Sequence, residues 1–331
     1  MSFAPVGDLA RHLMIRRHTS AIKGDIDRLA DMMASGRKAD LPASLRGDLA
    51  PLNGITASLA RLEGWSFAAN GLSTRMEAMQ AAMSSMRSLG DTAAKGFLIA
   101  RMPDQIEQAA KGAGDTLEAL LQHLNARVGD TWLFSGTATD GQAVRSAEDL
   151  FAALLPEVSG LATPQEVADR VVAWMEEPTG FAAQIYLGGP KISAINVSAQ
   201  DRIAHGVTAT DPGFAKLLGA AALGALLDHG LFAGDQLARQ QTAELTGELF
   251  LSSAQDSVNL AAKLGQSQEK LQRVMTQNAA ERSALQIIRN ETLRAPPEQT
   301  AAELTAASTQ LELLFEMTAR LSSLSLLNAL R

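Results

Sequence analysis

A run of thirty-four residues, Glu298 to Arg331, contains neither Pro nor Gly, and no other feature restricts the fold of this chain so much. Such a run continues one helix where those residues would stop it. At 100° per residue, Leu304, Leu311, Leu314 and Leu321 fall near one face, and Leu313, Met317 and Leu324 fall on the opposite one. By Leu326, Leu327 and Leu330 the apolar side chains point all round. A helix that is apolar on every side must be buried. The expectation is that the tail buries its leucines against another molecule, or against the other end of its own chain.

The other end matches it. Residues 6–35 form a second long helical pattern, with no Pro and, past the Gly7 of its first turn, only Gly24 inside. Val6, Leu9 and Leu13 mark one face; Ile15, Ile22, Ile26, Leu29 and Met33 mark another, nearly opposite. Two stripes on one helix call for two sets of neighbours. An antiparallel helix pair closing an ordinary monomeric bundle would account for the same pattern, so both readings stand at this point.

With 4% aromatic residues and one Tyr, the core must be built from Ala, Leu, Ile, Val and Met, which suits narrow helix-on-helix packing. The net charge of −7 comes from acidic and basic residues mixed along the chain. A nucleic-acid footprint requires a clustered basic face, so no nucleic-acid partner is expected. The absence of Cys excludes disulfides, thiolate zinc sites and Cys nucleophiles. No apolar run followed by a small-residue cleavage site opens the sequence. The most apolar segment, 217–227, is far short of the ~20 residues a bilayer requires, so no membrane insertion is expected.

Pro and Gly punctuate the middle of the chain. Residues 34–54 read as a connector, with Gly36, Pro42, Gly47 and Pro51. A helical stretch follows over about 55–127, with expected breaks near Gly90–Gly96 and at Pro103. Its methionines, Met76, Met79, Met83 and Met86, keep the three-and-four spacing of a core stripe. Thr131 to Phe134 reads as a short strand, and 146–178 as two short helices parted near Pro164. Residues 181–198 read as a hairpin around Gly188-Gly189-Pro190. A helix over 212–227 follows, with Asp211 as N-cap and Pro212 at its first position. From about 234 to 294 the helical texture returns. Leu245, Leu249, Val258, Leu264, Leu271, Met275, Asn278, Leu285 and Ile288 lie near a heptad beat. Pro296-Pro297 then separates the terminal helix.

Four segments resemble bacterial flagellins and flagellin-like axial proteins. Ser35-Gly36-Arg37 is similar to the segment after the family's N-terminal helix. Leu133-Phe134-Ser135-Gly136-Thr137, continued by Thr139 and Asp140, is most similar to the form found in FlgL-type hook-associated proteins. Leu264-Gly265-Gln266-Ser267-Gln268 with Leu271 is similar to the segment that opens the family's long C-terminal helix. The ending from Leu321 to Leu330 is similar to the family's leucine- and serine-rich terminus. The turn that usually follows the first segment is replaced by KADLPASLRGDLAPL, and 142–235 has no motif in common with the family.

The resemblance implies a mainly α, elongated flagellin-like rod of long paired N- and C-terminal helices with a small mixed α/β central insert. It implies an inner-layer N-terminal helix over 1–45, rod halves over 46–141 and 236–295, an outer insert over 142–235 and a C-terminal inner-layer helix over 296–331. It also implies a structural subunit of the extracellular flagellum that joins hook to filament and leaves the cell by flagellar type III export without a cleaved signal. The implied partners are further copies in a ring, a hook-side hook-associated protein, flagellin, and a cytosolic export chaperone on the C-terminal helix. The expected assembly interface is Leu9, Leu13, Ile22, Ile26, Leu29, Leu304, Leu311, Leu314, Leu321, Leu324 and Leu327. A short filament flagellin is the alternative, and a cytosolic coiled-coil binding module a further one.

No catalytic arrangement emerges. His12, His18, His123, His205 and His229 form no ligand pair at metal-binding spacing. Asp25 with Asp27, and Glu176 with Glu177, point in different directions on a helix. Gly188-Gly189-Pro190-Lys191 lacks phosphate-loop spacing, and Ser135 lacks the first glycine of a nucleophile elbow. Neither an enzyme nor a cofactor is expected.

Overall fold

In the computed structural model the chain is mainly α-helical. Residues 6–204 and 206–329 are described, with the backbone alone at 6–9, 11–12 and 321–329. In chain order come α1 (Val6–Ser35), α2 (Leu41–Ser44), α3 (Ala50–Ile99) and α4 (Pro103–Leu124). An antiparallel hairpin of β1 (Arg127–Val128) and β2 (Thr131–Trp132) follows, then α5 (Ala147–Val158), α6 (Pro164–Glu176) and α7 (Phe181–Gln184). A second antiparallel hairpin, β3 (Ile195–Asn196) and β4 (Arg202–Ile203), precedes α8 (Pro212–Asp228), α9 (Gln236–Leu293) and α10 (Pro297–Ala329). This is the mainly α class with a small strand-bearing middle that the sequence implies. The chain divides into a terminal unit, Met1–Arg61 with Ala280–Arg331, and a central unit, Leu62–Ala279.

The central unit is organised around α8. Of its seventeen residues, thirteen are buried, from Phe214 to Leu227. Between Lys216 and Asp228 it carries no charge, and a helix apolar on all sides is stable only when surrounded. α4 and α6 pack against it. Its glycines set the approach: a Cβ on Gly224 would stand 2.6 Å from Ala113 Cβ and 2.8 Å from the Phe97 ring. Gly90 plays the same part on α3, where a Cβ would meet Leu217 Cδ1 at 2.6 Å. The expected break near Gly90–Gly96 is therefore absent. Glycine in a helix interior costs about 1 kcal/mol relative to Ala, and close packing on α8 offsets that. α3 ends instead at Ile99, and Pro103 opens α4 from its first turn. The methionine stripe is core: Met76, Met79, Met83 and Met86 are all buried.

The two short helices around Pro164 form as expected. Ser146 caps α5, and Thr163 with Glu166 makes a capping box on α6. Those bonds to Thr163 hold the Glu166 carboxyl below its usual range. Arg170 joins the pair, donating to Glu157 at 2.6 Å and to Glu177 at 2.8 Å.

The hairpin expected over 181–198 does not form. Phe181–Gln184 makes one helical turn that buries Phe181 and Ile185, Tyr186 bridges Val144, and the observed hairpin lies later, at Ile195–Asn196 with Arg202–Ile203. Asp211 and Pro212 begin α8 as expected, but the carboxylate does not cap it. It accepts from the Thr208 amide at 2.8 Å and pairs with Lys191.

α9 is a single helix of 58 residues. Leu264, Leu271 and Asn278 are buried along the expected beat, whereas Val258 and Ile288 are exposed. The Leu264–Leu271 segment does not open this helix; it lies well inside it.

In the terminal unit α1 packs on α10. The bridge between Arg37 and Arg294 sets the end of α1 beside the start of α10, and Lys23 lies over the Phe315 ring at 5.8 Å, so the two helices run antiparallel. On α1 the row Ile15, Thr19, Ile22, Ile26 and Leu29 is buried or half-buried. On α10 the corresponding row is Thr300, Leu304, Ala307, Leu311, Leu314 and Thr318. Both rows alternate steps of four and three, the spacing of a coiled-coil seam.

Candidate assembly surface

Three local devices hold the residues that the family resemblance singles out. The first closes α1. Gly36 takes φ +66°, and its amide donates to Met32 O at 2.9 Å, ending the helix in the left-handed conformation that glycine tolerates. The Ser35 hydroxyl donates to Asp31 O and accepts from the Arg37 amide. Residues 36–38 then lie antiparallel to 293–295. The Lys38 amide donates to Leu293 O, and the Ala295 amide to Gly36 O, each at 2.9 Å. Lys38 Nζ adds a bond to Thr292 O at 3.1 Å. This clip joins two segments more than 250 residues apart in the chain, and it was not read from the sequence. Ser35-Gly36-Arg37 and the punctuation at Pro296-Pro297 were its only signals.

The second device lies in the central unit. Leu133, Phe134 and Ser135 are buried, and Phe134 meets the Phe214 ring edge-on at 5.8 Å. Gly136 takes φ +60°, and a Cβ there would collide with the carbonyl oxygens of Gly189 and Pro190. Gly189 N donates to Ser135 O at 2.9 Å and Thr137 N to Pro190 O at 3.0 Å. The Gly188-Gly189-Pro190 segment is thus the seat of the 133–137 segment rather than a hairpin turn. Tyr186 braces it, its hydroxyl donating to Gly189 O at 2.7 Å. Burial, with Asp211 nearby, pushes the Tyr186 phenol up to about 12, so it stays a neutral donor. Ser135 Oγ donates to Trp132 O, which is a turn residue's role.

The third device packs α9 against the second hairpin. Leu264 and Leu271 are buried, Gly265 and Gln268 half-buried, and Asn278 Nδ2 donates to Val197 O at 2.8 Å.

The expected assembly residues separate by face. Ile22 and Leu29 are buried, and Ile26, Leu304, Leu311 and Leu314 half-buried, all on the seam that α1 and α10 share. Leu13 is 57% exposed. The side chains of Leu9, Leu321, Leu324 and Leu327 lie outside the described residues, as do Val6, His12, Leu326, and His205 and Leu330 entirely. Further exposed apolar residues share the outer faces: Met14 on α1, and Leu313 and Met317 on α10, all between 55% and 65% exposed. The terminal pair therefore uses one face of each helix and leaves apolar side chains on the other in water. Among the described residues no group of three or more His, Asp or Glu is placed to hold a metal ion. No described helix is long and apolar enough to cross a membrane.

No protein-family model matches this chain, and no curated protein does. A solved structure from Vibrio parahaemolyticus, provisionally named a flagellar hook-associated protein, is similar over 76% of this chain and 95% of its own. The identity is 13% and the TM-score 0.41, a likeness too loose to define a common fold.

Proposed function

We propose that this chain is a structural subunit of the bacterial flagellum, standing between hook and filament and assembling through its terminal helices after flagellar type III export. The observation that carries the reading is the unfinished terminal pair. α1 and α10 share one seam and hold Leu13, Met14, Leu313 and Met317 in solvent on their other faces. Each such side chain, once covered by a neighbour, contributes on the order of 1.5–3 kcal/mol before ordering costs. The four segments similar to flagellin-like axial proteins name the kind of neighbour: further copies in a ring, a hook-side hook-associated protein and flagellin. A cytosolic chaperone would shield the leucine-rich end of α10 before export. The role is structural rather than catalytic.

Deleting the gene and imaging the cells by electron microscopy, with flagellin assayed in the medium, tests this. Hooks without filaments and flagellin shed outside are expected. Absence of both filament and shed subunit would mark the chain as a filament flagellin instead. Intact swimming cells, with no second gene copy, would overturn both.

A further inference from the structure

The clip that joins 36–38 to 293–295 sets two like charges face to face. Arg37 and Arg294 are directly opposite one another in an antiparallel bridge. The flanking bonds, from the Lys38 amide to Leu293 O and from the Ala295 amide to Gly36 O, leave the two arginines at the non-hydrogen-bonded position. There the Cα atoms of a pair stand about 4.5 Å apart and its side chains leave on the same side. Both arginines are exposed. Like charges at such a position weaken a ladder, so the pair calls for a counter-ion. Among the described residues none supplies it: no ion pair or side-chain hydrogen bond engages either guanidinium. Asp40, the next carboxylate after Arg37, is turned to the start of α2, where it accepts from the Ala43 amide at 2.9 Å. Glu291 and Glu298, on either side of Arg294 in the chain, reach neither arginine. A third cation, Lys38, gives its Nζ to Thr292 O at 3.1 Å and takes no carboxylate.

We propose that Arg37 and Arg294 form a binding site for a phosphate-type oxyanion, which latches the end of α1 to the start of α10. Each guanidinium is a planar fork of donors that fits two oxygens of one anion. Two forks side by side suit an anion with more than two oxygens and about two negative charges, which a phosphate has and a carboxylate or chloride lacks. Bound there, the anion replaces a repulsion across the clip with charge-assisted contacts to both segments. The site exists only when the two segments, more than 250 residues apart in the chain, are paired. Anion binding and closure of the clip are therefore linked, and a ligand of the closed form holds it closed. The site belongs to the terminal unit alone and does not depend on the flagellar role.

Calorimetric titration of the full chain with inorganic phosphate, set against sodium chloride and sodium acetate at matched ionic strength and pH, gives the first reading. Phosphate should bind at one site, and acetate and chloride should not. Hydrogen exchange read by mass spectrometry then follows the clip itself, in peptides that carry the Lys38 and Ala295 amides. With free phosphate at about ten times its measured Kd, those amides should exchange about tenfold more slowly than in chloride, because protection rises with that ratio. Amides of α8 should not change. Arg37→Gln and Arg294→Gln, both at exposed positions, should keep the helicity and abolish the phosphate effect. In chloride their clips should exchange no faster than that of the wild type, since each substitution removes a repulsion. Arginines that merely brace the fold would give the opposite result. Arg294→Lys, which keeps the charge and loses the fork, should bind phosphate more weakly than the wild type. No phosphate binding, binding that acetate matches, equal exchange in phosphate and chloride, or glutamine variants that keep the phosphate effect would overturn the proposal. None of these results bears on the deletion phenotype, which tests the flagellar role separately.

Discussion

Gly36 and Gly136 show how residues of one type, both with left-handed backbone, do different work. At Gly36 nothing lies within 4 Å of where a Cβ would stand. Gly36→Ala should therefore cost only the left-handed penalty, about 1 kcal/mol, and loosen the end of α1. At Gly136 a Cβ would strike the carbonyls of Gly189 and Pro190, so Gly136→Ala should cost at least about 2 kcal/mol in the central unit. Urea unfolding followed by tryptophan fluorescence separates them, because Trp65, Trp132 and Trp174 all belong to the central unit. The midpoint should fall for Gly136→Ala and stay in place for Gly36→Ala. The sequence marked both glycines within recognisable segments but not their surroundings. The partner of Gly136 lies more than fifty residues away, at a Gly-Gly-Pro segment whose composition imitates a hairpin turn. Composition reports that a turn can occur; it does not report which distant backbone fills the space.

At the scale of elements, burial is distributed unevenly. α8 buries thirteen of seventeen residues, whereas the described part of α1 buries only Ile22 and Leu29 among its apolar side chains, and that of α10 buries Thr300. Helices that bury so little depend on one seam and on neighbours, and open locally at small cost. In hydrogen exchange of the purified chain, amides of α1 and α10 should exchange before those of α4 and α8, and the order should not invert. Equal protection along the chain would mean a closed bundle. The long periodic helices were legible because spacing alone defines them: Ile22, Leu29, Leu304 and Leu311 fall on the seam that their three-and-four steps predict. α8 was legible as a helix but not as the centre of the core, since an all-round apolar helix does not state what surrounds it. Gly90 misled for the same reason. Its lack of a side chain reads as a break in isolation and is a point of close contact in the fold. Phe181 to Ile185 misled because a short β-rich run says little against one helical turn that buries two large side chains.

For the whole molecule, the contrast lies between a central unit with an extensive buried core and a terminal pair held by a single seam. The central unit has anchors of its own: its glycines admit their neighbours, Asn278 holds the second hairpin, and Arg170 of α6 reaches Glu157 of α5. It too leaves apolar side chains in water, among them Phe67, Ile99 and Leu237. The terminal pair has no such core, and in the proposed role its exposed Leu13, Met14, Leu313 and Met317 would be where a polymer gains its cohesion. Restoring a deletion strain with Leu313→Asp is the most direct measurement of that claim. Leu313 is 55% exposed, so the substitution should leave the chain folded and soluble. Electron microscopy should show hooks without filaments, as in the deletion itself. Normal filaments on cells carrying Leu313→Asp would mean that this face takes no part in assembly, and would contradict the account.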